Sequence, residues 1–141
     1  KMIDSTHQFI EALKSKEIKF SQDTTDSGKD VVSVSFDGNN ISPIKMLFFF
    51  GTDSQDVSLQ CFNMVKVPEG KTEAILKAVN GLNAHYRFAK FYFDVDDKTV
   101  TVQMDACFRT HDVGEICTEL MIRCIQIIDD SYPSLMKALW A

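Results

Sequence analysis

Cysteine is scarce in this chain and never closely spaced: it occurs at 61, 107, 117 and 124, with no C-x-x-C. That pattern excludes a small disulfide framework and a cysteine-rich zinc ribbon. Cys117 and Cys124 stand seven apart in a helical pattern, roughly 10 Å at the helical rise and too far to bridge. The four thiols are expected to be reduced and to serve as small hydrophobes, as in a cytoplasmic protein. The Asn40-Ile41-Ser42 sequon is then expected to carry no sugar. Histidine is rarer still, at positions 7, 85 and 111, so a nucleophile has few bases to pair with. His111 follows Cys107 by four, but a strand end and a helix start aim them apart, and two such ligands are too few for zinc. There is no G-x-S-x-G elbow and no phosphate-cradling glycine loop. Long apolar runs are missing as well. The longest, "MLFFF" at 46–50, falls far short of the roughly twenty residues of a membrane span. The first twenty residues hold no secretory h-region. The chain opens with Lys1 ahead of Met2, as a trimmed chain would, which leaves a removed leader open. Basic runs are absent too: fifteen Lys and Arg against twenty Asp and Glu give a net charge of −5, a balance that argues against a nucleic-acid partner.

What is present is the material of one globular domain over residues 1–141. Hydrophobic residues make up 45% of the chain, and eleven of them are Phe, so a core built on large rings is expected. Ser5 and Gln8 have capping-box spacing ahead of Phe9, Ile10 and Leu13, predicting a first helix from about 5 to 15. "EIKF" (17–20) is a short strand candidate, and "SQDTTDSGKD" (21–30) is a polar loop. "VVSVSF" (31–36) alternates with period two, and strands follow at 41–50, with Pro43 near its start, and at 57–67. Ile75, Ala78, Val79 and Leu82 mark a second helix behind Pro68 and Gly70. "TVTVQMDACF" (99–108) is the cleanest alternation, with Val100, Val102, Met104, Ala106 and Phe108 on one face. Ile116, Leu120, Cys124, Ile127 and Ile128 trace a last helix with a Glu119–Arg123 pair, which Pro133 should kink or restart. The order is α-β-β-β-α-β-β-α with an extra short strand after the first helix. Tight turns then imply an α+β fold: a single antiparallel sheet of about five to six strands with flanking helices.

The most chemical-looking stretch is "RFAKFYFDVDD" (87–97). As a strand it sets Ala89, Phe91 and Phe93 against Phe88, Lys90 and Tyr92, with the acidic residues in the following turn, where Asp side chains accept backbone hydrogens. A calcium loop starting at Asp94 would need a ligand, a Gly and a Glu at its fifth, sixth and twelfth positions, where this chain has Lys98, Thr99 and Asp105. An RNA-binding strand would need glycines that let bases approach. Neither fits, so the stretch is architecture. Asp53–Asp56 and Asp129–Asp130 are expected to be solvated polar positions. No catalytic set, metal site or cofactor site emerges.

One irregularity remains. Leu47, Phe49, Phe62, Met64, Phe88 and Tyr92 lie opposite the better-patterned core residues, mixed with Ser33, Ser35, Lys45 and Gln60. Left bare, they would form a patch larger than lone monomers usually carry. A helix crossing behind is the favoured explanation, and a partner or a second copy is the other. Trp140, in a stripe with Leu135, Met136 and Leu139, poses the same choice. Phe49, Phe62, Phe88, Tyr92 and Trp140 are therefore the candidate partner surface.

"NGLNAHYRFAKFYFDVDDKTVTVQMD" followed by "IIDDSYPSLMKALW" resembles the YbjN-like family of bacterial sensory transduction regulators over most of residues 70–140. The resemblance is carried by Asn80, Asn83, Arg87, Phe88, Phe91, Tyr92 and Asp94, and by Tyr132-Pro133. It implies a fold like that of type III secretion chaperones, a regulatory or chaperone-like role without catalysis, and self-association. Asn80, Asn83 and Arg87 carry over as family-motif positions. Asn83 suits a left-handed helix end, and Arg87 an anchor to a carboxylate. The alternative is a small-ligand or enzyme pocket near these three residues.

Overall fold

The computed structural model describes residues 2–109 and 111–140. Its elements run α1 (Asp4–Ser15), β1 (Ser21–Thr24), β2 (Asp30–Phe36), β3 (Ile44–Phe50), β4 (Asp56–Lys66), α2 (Thr72–His85), β5 (Lys90–Asp94), β6 (Thr99–Cys107) and α3 (Val113–Trp140). The strands form one antiparallel sheet in the order β1-β2-β3-β4-β6-β5. The fold is α+β, and the extra strand after the first helix is present. It lies at Ser21–Thr24 rather than at 17–20, because Ile18 and its neighbours close the end of α1: the Ile18 N–H donates to the Leu13 carbonyl.

Alternation decides which side of each strand is covered. Val32 and Val34, then Ile44, Met46, Phe48 and Phe50, then Val57, Leu59 and Cys61, and finally Val100, Val102 and Met104 all point into the core. The helices add Phe9, Ile10 and Leu13 from α1, Ile75, Val79 and Leu82 from α2, and Cys117, Cys124, Ile128, Leu135 and Leu139 from α3. The ring of Phe9 lies 4.5 Å from that of Phe48 and 6.0 Å from that of Phe50, so α1 is seated on β3 by tilted aromatic contacts. α3 packs against both α1 and α2. At Gly114 a Cβ would come within 2.9 Å of the Ala12 Cβ, so only glycine lets α1 and α3 approach this closely.

Several local expectations are corrected. Ser5 does not cap α1. The helix begins at Asp4, and the Ser5 side chain is buried without a hydrogen-bond partner. Other segments satisfy the first turn instead: Ile3 N–H donates to Asp30 Oδ2 at 2.7 Å and Ser5 N–H to Ser54 Oγ at 2.8 Å. The buried Asp30 carboxylate thus meets the positive end of the helix dipole. Strand β3 starts only at Ile44, after the cis Ser42–Pro43 bond.

Pro133 does not restart the helix: α3 runs through it to Trp140. Proline cannot donate to the carbonyl four residues earlier, which here belongs to Asp129. Asn40 Nδ2 donates to that carbonyl at 3.0 Å, and the Asn40 and Ile41 N–H groups donate to Asp129 Oδ1 at 2.6 and 3.3 Å. Asp129 is therefore a clamp for the β2–β3 connection, not a merely solvated carboxylate. Gly38 completes it, because a Cβ there would collide with the Asp129 carboxylate and with the Ile41 carbonyl.

Candidate functional site

No described helix crosses the second face of the sheet, contrary to the favoured expectation. Leu47, Phe49, Ser33, Ser58, Gln60 and Tyr92 stay partly open and Ser35 and Lys45 fully so, while the residues alternating with them are buried. The reason lies in chain length and order. Each helix already finds its apolar partners on the first face, and tight turns between neighbouring strands leave no connection to pass behind the sheet. Thr99 and Thr101 are buried on this side, at the end where Tyr92 pairs with Thr101 and β4 bulges between Cys61 and Val65.

The structure brings together part of the candidate surface. Phe49 and Phe62 meet edge to face with ring centroids 6.3 Å apart, and Phe62 is 42% exposed. Leu47 lies on the same face, directly opposite Gln60. Tyr92 shares this face two strands away. Met64 does not stay open: beside the bulge, where Asn63 has a left-handed φ of 56°, Met64 and Val65 are both buried. Two grooves also open here, the first of them reaching Phe49. One, of about 630 Å³, is lined by Asp56, Asp105, Gln60, Gln103 and Lys29. The other, of about 370 Å³, is lined by Lys19, Lys45, Phe20, Ser33 and Ser35.

Phe88 and Trp140 are placed elsewhere. Phe88 is not part of a strand, since β5 begins at Lys90 and Phe88 sits in the connection from α2 with φ of 71°. Its ring lies beside Arg123 of α3, on the helix-covered side. Trp140 leaves the stripe of Leu135 and Leu139: those two are buried, whereas Trp140 is 68% exposed over a groove formed with Pro68, Val67, Asp96 and Asp97.

The motif residues of α2 also differ from expectation. Asn83 is helical, not a left-handed cap, because α2 continues to His85 and ends in an extended Tyr86. Its side chain pairs with the edge strand like a short piece of ladder: Nδ2 donates to the Phe91 carbonyl at 2.9 Å and Phe91 N–H donates to Oδ1 at 2.7 Å. This hides one hydrogen-bonding pair of the β5 edge. With both polar atoms held by Phe91, Asn83 does not point toward a ligand shared with Asn80 and Arg87. Arg87 faces the ring of Phe88, its guanidinium carbon 5.1 Å from the centroid, rather than a carboxylate. Asn80 is exposed on α2. Next to Arg87, the Tyr86 phenol is held above its ordinary pKa by burial first and by the charge of Asp130 second.

The acidic bend behaves as a turn. Asp94 Oδ1 accepts the N–H groups of Asp96 and Asp97 at 3.0 and 3.1 Å, and Lys98 N–H closes the turn on the Asp94 carbonyl. Among the described residues, no group of three or more His, Cys, Asp or Glu is placed to hold a metal ion. Burial pushes the Cys61 thiol up to about 11 and that of Cys117 to about 12, and raises Cys124 in the same direction. These thiols stay protonated and pack as hydrophobes, whereas Cys107 is exposed on β6. No described helix is long and apolar enough to cross a membrane.

Fold and surface together define a small α+β domain with one sheet face clad in helices and the other open. The sequence places it further: the YbjN family model, described as "Putative bacterial sensory transduction regulator", matches residues 7–132, and the chain belongs to that family. No curated protein matches it.

Proposed function

We propose that this chain is a non-enzymatic regulatory module, chaperone-like in its action, that binds a protein segment or a second copy of itself through the open face of its sheet. The observation that carries this is the Phe49–Phe62 pair standing on an uncovered face with Leu47 beside it and Tyr92 farther along. Apolar rings on a sheet face with polar neighbours are what a partner's apolar side chains cover when two sheets or a sheet and a helix pack. The two grooves add charges of both signs, Asp56, Asp105 and Lys29 in one and Lys19 and Lys45 in the other. A self-complementary patch of this kind suits a two-fold pairing of copies. The family description as a regulator supports the non-catalytic part, as do the protonated thiols in the core.

The test is Phe62→Asp, compared with the parent chain by sedimentation across a concentration series and by affinity capture from the source cell. The proposal requires association in the parent that the variant loses while its melting temperature is kept. A parent that stays monomeric at high concentration and captures no protein would end it.

A further inference from the structure

Phe88 is the least explained side chain of the family motif. Its backbone lies in the left-handed region, φ 71°, where the Cβ of a bulky residue is crowded against the chain. Its ring gains little from burial in return, being 61% exposed. An outlier of this kind, kept without a packing benefit, points to a use outside the fold. The ring's neighbours identify that use. The guanidinium carbons of Arg87 and Arg123 stand 5.1 and 5.4 Å from its centroid, both within cation–π reach.

Two guanidinium groups thus gather at one ring in a chain whose net charge is −5. Arg123 pairs with Glu119 at 3.6 Å, but this i,i+4 ion pair is solvent-exposed and weak enough for a second carboxylate to compete, and Arg87 forms no ion pair among the described residues. Beyond Arg123 runs a groove of about 520 Å³ between α1 and α3, where Ile122 and Lys16 supply an apolar contact and a further cation against Glu115 and Glu119. Ile122 is itself largely exposed.

We infer that Phe88, Arg87 and Arg123 form a docking station for an acidic peptide segment of a partner protein. The partner's carboxylates take the donor forks of the two arginines, and an apolar side chain lies against Phe88 and Ile122. Charge complementarity selects an acidic occupant over a basic one. The chain's own negative field repels a long polyanion, which favours a short acidic segment over nucleic acid. This station lies on the helix side of the sheet, away from the Phe49–Phe62 face, so it stands or falls independently of the function proposed above.

The test titrates the full chain into a fluorescein-labelled peptide repeating Glu-Glu-Leu, with a Lys-Lys-Leu peptide, phosphatidylserine vesicles and single-stranded DNA as comparisons. Saturable, salt-sensitive binding of the acidic peptide alone is expected, weakened roughly tenfold or more when Arg87→Met and Arg123→Met are combined. Phe88→Gly is the discriminating variant, because glycine relieves the left-handed strain. It should weaken peptide binding while holding or raising the melting temperature. The inference is overturned if the acidic peptide does not bind or binds the arginine variant equally well. It also fails if vesicles or DNA bind in its place, or if Phe88→Gly lowers the melting temperature as loss of a structural ring would.

Discussion

In β3 the neighbours Phe48 and Phe49 carry the same side chain into opposite surroundings. Phe48 is fully buried against Phe9 of α1, whereas Phe49 is half-open and meets Phe62, itself partly in solvent. A strand sends successive side chains to opposite faces, so the helices on one side determine the fate of both rings. The comparison teaches that aromatic content alone does not report a core. The covered face concerns stability, and the open one is free to be used for something else.

The largest effect that would sharpen this contrast is Phe48→Ala. Emptying a fully enclosed aromatic site costs about 3–5 kcal/mol, whereas Phe62→Ala on the open face should cost less than about 1 kcal/mol. Chemical denaturation of both variants measures the difference, and equal losses would mean that the open face is packed after all. Next comes Asn83→Ala, which strips the Phe91 N–H and carbonyl of their side-chain partner at the sheet edge. We expect a loss of about 1–2 kcal/mol and faster hydrogen exchange at the Phe91 amide than at neighbouring β5 amides. Unchanged exchange there would remove Asn83 from its place in the ladder.

The smallest effect belongs to the Asp129 clamp. Its carboxyl is held below the ordinary value first by the Asn40 N–H, with further backbone bonds from Asn39 and Ile41. A carboxylate whose folded pKa is depressed stabilises the fold above its unfolded pKa and loses that contribution as pH falls through the folded one. The melting-temperature gap between the parent and Asp129→Ala should therefore be open at neutral pH and close as the pH drops below about 4. A gap independent of pH would show that the carboxylate charge is not what grips the loop.

Much of the fold was legible because it rests on periodicity. The alternation of Val32 and Val34 and of Val100, Val102 and Met104, and the helical spacing of Ile75, Val79 and Leu82, all reappear as buried faces. The Asp94 turn was legible for a local reason as well, since its side chain bonds two and three residues ahead. Where local signals failed, a distant segment had supplied the missing group. Ser5 lost its capping role to Asp30 and Ser54. Pro133 did not break α3, and the carbonyl it leaves free is taken by Asn40. Asn83 does lie in the last turn of α2 but keeps a helical backbone, and its side chain serves an edge that comes eight residues later. The candidate surface was half legible: Phe49, Phe62 and Tyr92 followed from strand parity. Phe88 was drawn into that set by assuming the strand began early, and Met64 is buried beside the bulge at Asn63.

The sequence by itself determined the kinds and order of the elements, and which side of β2 and β6 is apolar, because these follow from spacing along a single segment. Only the tertiary structure decided that all the cover lies on one face, that Phe88 stands among arginines, and which remote atoms satisfy Asp129 and the start of α1. Those outcomes depend on contacts between residues far apart in the chain, and no local pattern specifies how such segments meet.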